Sequence, residues 1–139
     1  MSRIPTIAYE LADPEAREIF DHFQKERGNV PNMFRTVAHR PEILRTMIAH
    51  FRAVMETGTV GAKLKELVIV RTSQINHCEY CLNSHAQLAQ RYGWSEDQIS
   101  GLADFRTRSD FDEREKAALE LAERESLDST GIDDKFWAR

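Results

Sequence analysis

The sequence predicts an all-α fold, on three observations. Apolar residues recur at the three-and-four spacing of a helix. Capping residues, a first-turn proline and terminal glycines punctuate the chain at helix-length intervals. The one stretch that reads locally as a buried strand has no second strand to pair with, and no hairpin signal is present.

Taken in order, Asp13-Pro14-Glu15 places a cap, a first-turn proline and an early carboxylate in a row. Ile19, Phe20 and Phe23 then form one helical face, and Gly28 follows as a stop. Pro31 and Pro41 each restart the chain. Between Pro41 and Glu56 the apolar set Leu44, Met47, Ile48, Phe51, Val54 and Met55 follows i, i+3, i+4, i+7, a helix half-buried on one side. Gly58 and Gly61 bracket the next turn.

Residues 62–75 contain the strand-like run Leu67-Val68-Ile69-Val70, but Leu64, Leu67, Val68 and Ile75 share a helical face, so a buried helix is expected. A helix from about Cys78 to Tyr92 ends at Gly93. Ser95-Glu96-Asp97-Gln98 and Asp112-Glu113-Arg114-Glu115 are capping-box patterns, the second opening a helix that runs to about Leu127. Residues 132–139 read as the start of one more. The count is six to seven helices in a single domain over residues 1–139, with no internal repeat and no low-complexity segment.

Composition excludes several classes. At 139 residues the chain can bury a core without disulfide staples. Charged residues are 30%, and Gly 6 and Pro 4 are far below a disordered or collagen-like level. A net charge of −4 and a pI near 5.7 argue against a binder held by nucleic-acid phosphates. The charge is uneven: residues 96–139 carry 13 acidic and 7 basic side chains, which reads as a solvated acidic face. No run approaches the length of a membrane span, and the first residues lack an apolar signal core, so a cytoplasmic protein is expected.

The two cysteines, Cys78 and Cys81, are the only ones and sit three apart. In a reducing compartment a lone CxxC is more often redox-active, catalytic or metal-binding than a permanent staple. On a helix Cys78 and Cys81 are i, i+3, Cys81 and His85 are i, i+4, and all three side chains share one face. A thiolate is the nucleophile, and an ordinary thiol is mostly protonated at neutral pH. A neighbouring imidazole can take the proton, the helix N-terminus favours the anion, and a second thiol can close a disulfide once the first is oxidised.

The run ELVIVRTSQINHCEYCLNSH, residues 66–85, has the form E-x11-C-x2-C-x3-H. On an all-α chain it resembles the AhpD-like alkylhydroperoxidase and carboxymuconolactone decarboxylase superfamily. The KLKELV entry at 63–68 agrees, and VPNMF at 30–34 is similar to the peroxidase-related branch. The resemblance covers residues 30–139 and implies an AhpD-like helical bundle with the CxxC at the N-terminus of a helix. It implies Cys81 as the peroxide-attacking thiol, Cys78 as the resolving thiol and His85 as the base. Glu66, on the preceding helix, matches the carboxylate that orients or relays protons to the histidine. Relatives also imply a trimer or hexamer, no cofactor, and one or two more helices after residues 136–139.

The pattern departs from AhpD at Tyr80, where AhpD carries a second histidine. A phenol donates a hydrogen bond but is no base at neutral pH. Tyr80 and the adjacent His77 are accessory candidates, with His77 pointing elsewhere on the helix. The decarboxylase branch lacks the CxxC, so decarboxylation is not expected.

The expectation is therefore a cofactor-free, thiol-dependent peroxidase. It acts on a small hydroperoxide, is reset by an external dithiol, and has no nucleic-acid or membrane partner. The alternatives are a non-catalytic redox sensor that uses the disulfide as a switch, and a zinc site built from Cys78, Cys81, His85 and Glu66. The zinc frame is poor, because three of its ligands come from one helix. Two small buried cysteines fit no better than zinc, and a thioredoxin-like domain fits less well still. Without the resemblance Glu66 reads as a surface ion pair, for instance with Lys63. His22, His39 and His50 read as ordinary surface histidines, and the Phe/Met stripe at 47–55 as core or subunit interface.

Overall fold

Asp13 accepts a hydrogen bond from the backbone of Glu15, Pro14 occupies the first helical position, and Gly28 closes the helix with a left-handed φ of 73°. These local devices bound α1, Pro14–Arg27, in the computed structural model, which describes residues 3–56 and 58–138. Residues 1, 2 and 139 at the two ends of the expected organisation lie outside the described residues.

The helices that follow are α2 (Asn32–Val37), α3 (Pro41–Glu56), α4 (Ala62–Ile75), α5 (Glu79–Arg91), α6 (Glu96–Ser100), α7 (Glu113–Leu127) and α8 (Asp134–Trp137). Short 3-10 turns lie at Tyr9–Leu11, Gly101–Asp104 and Ser129–Gly131. The described residues thus hold eight α-helices and no strand, one helix more than the upper expectation; the helix start expected over residues 132–139 is the four-residue α8. No helix among them is long and apolar enough to cross a membrane.

The chain divides into two compact units, Met1–Thr57 and Gly58–Arg139. In the first, Ala16, Phe20 and Phe23 of α1 pack with Phe34 of α2 and with Leu44 and Ile48 of α3. The rings of Phe23 and Phe34 stack at 4.6 Å. Elsewhere on α3, Ile43, Phe51 and Val54 are exposed, Phe51 at the edge of the buried face beside Phe34. His22 accepts from Arg52 (2.8 Å) and His39 bonds the Pro5 carbonyl oxygen (2.9 Å), both at the surface.

The second unit is built on α4, which packs against both α5 and α7. Leu67 and Val70 are fully buried with Ala89, Trp94, Leu102, Phe105 and Leu119. Each such aliphatic side chain contributes roughly 1.5–3 kcal/mol on burial. The strand-like 67–70 run is helical, but its buried face is not the expected one. Glu66, Leu67, Val70 and Ser73 point inward, whereas Leu64, Val68 and Ile75 are only partly covered. Two flanking helices bury more than one side of α4, and the polar Glu66 and Ser73 lie in the seam.

Two capping boxes form as the sequence predicts. Ser95 and Gln98 exchange side-chain and backbone bonds at α6, and Asp112 and Glu115 do so at α7. The acidic C-terminal part is not wholly solvated. Glu123 is buried, bound through one oxygen by Arg71 Nε (2.9 Å) and through the other by Arg106 Nη2 (2.6 Å). Trp94 donates its indole N–H to the Lys63 carbonyl (2.9 Å), tying the start of α4 to the turn after α5.

Candidate active site

The α4–α5 hairpin assembles the site. Its turn is tight: α4 has its C-cap at Asn76, and α5 begins at Glu79 with Cys78 as its N-cap. Cys81 is the third residue of α5, in the turn where backbone N–H groups lack intrahelical partners and the helix dipole favours an anion.

Cys78 and Cys81 are joined in a disulfide with their Cα atoms 5.3 Å apart. The Cys81 backbone N–H points at Cys78 Sγ, 3.3 Å away. Both cysteines are partly exposed. The spacing argument put Cys78, Cys81 and His85 on one face of a continuous helix. The structure keeps Cys81 and His85 on α5, one turn apart. Cys78 stands before the helix, with φ −87° and ψ 88°. Its position is that of the α5 N-cap, outside helical register, with its N–H bonded to the Ser73 carbonyl (3.0 Å).

His85 faces α4, where its Nδ1 lies 2.7 Å from Glu66 Oε2. An ionised carboxylate has no hydrogen to give, so Nδ1 donates and Nε2 is left to accept a proton. Glu66 is only 3% exposed. The surface pairing with Lys63 that its sequence context suggested does not describe it. Its carboxylate is buried because the imidazole provides the partner a buried charge requires.

Tyr80 is exposed on the first turn of α5. His77 is also exposed and lies between the helices with a φ of 52°, not on a helix as its sequence position suggested. The structure therefore brings Glu66 and His85 into contact, links Cys78 to Cys81, and leaves both accessory candidates at the surface.

Sequence reasoning missed Ser73, whose carbonyl accepts the Cys78 N–H at 3.0 Å. Ser73 lies seven residues after Glu66 on the same buried face, but the bond is made by its main-chain carbonyl, while its hydroxyl donates to the Ile69 carbonyl (2.7 Å), so no side-chain pattern signals it. Among the described residues no group of three or more His, Cys, Asp or Glu side chains is clustered to hold a metal ion. Both thiols that a zinc site would need are committed to each other.

This arrangement can store two electrons. Reduction of the disulfide would leave two thiols at a helix N-terminus, one of them a turn from an imidazole that a buried carboxylate orients. That is the general form of an activated nucleophile: thiol, base and orienting group.

Comparison with known proteins agrees with the fold. A structure from Ralstonia eutropha JMP134, described as an alkylhydroperoxidase AhpD core of an uncharacterized peroxidase-related protein, superposes with a TM-score of 0.87 at 27% identity. The match covers 99% of this chain and 73% of that one. A peroxidase-related protein from Silicibacter sp. TM1040 gives 0.84 at 23% identity, covering 99% and 74%. The debrominase Bmp8, in a variant form in complex with 2,3,4-tribromopyrrole, gives 0.80 at 19%, covering 99% and 73%. These last two likenesses are of fold.

In sequence, the uncharacterized protein YdfG of Bacillus subtilis is 29% identical over 100 residues, 71% of this chain and 67% of that protein. YnjA of Escherichia coli is 34% identical over 77 residues, 55% of this chain and 42% of its own length. The model of the carboxymuconolactone decarboxylase family matches residues 41–124, a span that contains Glu66, both cysteines and His85. With this helical fold and a CxxC at the head of α5, the chain belongs to the carboxymuconolactone decarboxylase family, in its AhpD-like form.

Proposed function

We propose that the protein is a thiol-dependent peroxidase that reduces a small hydroperoxide through a dithiol–disulfide cycle. The observation that carries this reading is the 2.7 Å contact of His85 Nδ1 with buried Glu66, one turn along α5 from the Cys78–Cys81 disulfide. The similarity to the AhpD core structure supports it.

In the proposed cycle His85 Nε2 takes the Cys81 proton. The Cys81 thiolate attacks the terminal peroxide oxygen, and the O–O bond breaks. Cys81 becomes a sulfenic acid, and the leaving alkoxide receives a proton as alcohol. The Cys78 thiol attacks the sulfenic sulfur, forms the disulfide and releases water. An external dithiol then returns two electrons and two protons, leaving its own disulfide as product. Glu66 is a positioning residue that holds the imidazole with Nε2 toward the thiol. No resident cofactor takes part.

The proposal extends to a cytosolic protein in which several copies, as a trimer or hexamer, cover the exposed Ile43, Phe51 and Val54 of α3. Consumption of an organic hydroperoxide with a dithiol donor is the direct test, run on the wild type and on Cys81→Ser. The wild type should turn over many times and the variant not at all. Equal consumption by both, or a single stoichiometric oxidation of the wild type, would remove the enzymatic reading; the second result would favour a redox switch.

A further inference from the structure

The end of α4 is a Schellman motif. Asn76 is the C-cap, and His77 follows with a φ of 52°, the one non-glycine residue among those described with a positive φ. The His77 N–H donates to the Gln74 carbonyl (3.2 Å) and the Cys78 N–H to the Ser73 carbonyl (3.0 Å). These are the 5→2 and 6→1 bonds of that motif.

Cys78 therefore has three duties at once. Its N–H closes α4, its place at the N-cap opens α5, and its sulfur is half of the disulfide. The bond that fixes its backbone is made only if the residue before it turns left-handed. Glycine takes that conformation most readily, asparagine, aspartate and histidine are several-fold enriched in it, and alanine and above all β-branched residues resist it. Here the position is filled by histidine, and its imidazole is exposed.

We infer that His77 is a positioning residue for the redox pair, acting through its left-handed backbone and not through its imidazole. By completing the Schellman motif it presents Cys78 at a fixed place above the first turn of α5, within disulfide reach of Cys81. A residue that resists the left-handed region lets Cys78 wander, lowers its effective concentration toward Cys81 and weakens the disulfide against an external dithiol. The inference rests on reading the pair as a redox couple but needs no peroxide chemistry.

The experiment is equilibration of the full chain with dithiothreitol buffers of varied reduced-to-oxidised ratio, reading free thiols after acid quench. In this exchange two electrons and two protons pass from dithiothreitol to the protein disulfide, and dithiothreitol closes to its own cyclic disulfide. His77→Asn, which tolerates the left-handed region without an imidazole, should keep the equilibrium constant within about twofold of wild type. His77→Ala should shift it toward the dithiol by several-fold, the scale of the histidine preference for positive φ over ordinary residues, and His77→Val, whose branched Cβ resists that region most, by about tenfold or more. Should the valine variant not fold, alanine and asparagine still decide the matter. A fall for asparagine equal to that for alanine would assign the effect to the imidazole and overturn the inference, as would constants unchanged in alanine. Peroxide turnover is measured separately, so failure of the peroxidase reading leaves this result standing.

Discussion

Glu66 of α4 and His85 of α5, nineteen residues apart in the chain, meet through a 2.7 Å contact between Oε2 and Nδ1. The carboxylate is buried and the imidazole is partly open to solvent. In the proposed cycle that difference in burial separates their roles, the carboxylate orienting and the imidazole exchanging a proton.

Replacing Glu66 with glutamine keeps the shape and removes the charge. We expect kcat/KM for hydroperoxide to fall by roughly 10–100-fold, with KM little changed, because ring orientation and not substrate binding is lost. The pH profile of kcat/KM should change shape as well, which a purely structural role would not produce. Replacing His85 with glutamine should slow iodoacetamide alkylation of reduced Cys81 at neutral pH, measured in a Cys78→Ser background. Alkylation as fast as in the histidine protein would remove His85 from the role of base.

Glu123 bridges Arg71 and Arg106 from a buried position on α7. Glu123→Ala strips the partner from a largely buried guanidinium. We expect a loss of about 3 kcal/mol in unfolding free energy by urea titration. Pairing it with Arg71→Met should recover much of that loss, since the unpaired charge, not the missing bond, dominates the penalty.

Arg108 sets an acid limit. It hydrogen-bonds Asp110 through Nε (2.9 Å) and Nη2 (2.7 Å), and this bonding holds the Asp110 carboxyl below the ordinary aspartate value. A carboxyl depressed in the folded state contributes its stabilisation fully above its unfolded value. That contribution fades as pH falls from about 4 through the lower folded value. Thermal scans between neutral pH and about pH 3 should show Asp110→Asn losing less stability on acidification than the wild type. Parallel curves would exclude the pair as a source of acid sensitivity.

Much of the helical scaffold is legible from local chemistry. Asp13, Pro14 and Gly28 bound α1, and Ser95 and Asp112 each open a capping box; these devices act within four residues and need no tertiary partner. The helical state of 62–75 follows from the lack of a partner strand. Its inward face does not, because which side of α4 is covered depends on α5 and α7 together. The burial of Glu66 is equally non-local, since its partner His85 lies nineteen residues on, on the next helix of the hairpin. The junction at His77 and Cys78 is hidden for another reason. Helical spacing extrapolates smoothly back through Cys78, and histidine is an uncommon occupant of a left-handed cap, so no residue signals the break.

The bond from Trp94 to the Lys63 carbonyl closes the open end of the α4–α5 hairpin, three residues before Glu66. The Lys63 ammonium also sits 4.3 Å from the centre of the same indole. Of the two tryptophans in the chain, Trp94 is 4% exposed and Trp137 is 66% exposed. The protein thus carries its own optical gauge. Emission from Trp94 reports whether α4 and α5 remain in register, against a solvent-exposed background from Trp137. A red shift on reducing the disulfide would show that the electron state at one end of the hairpin is felt at the other.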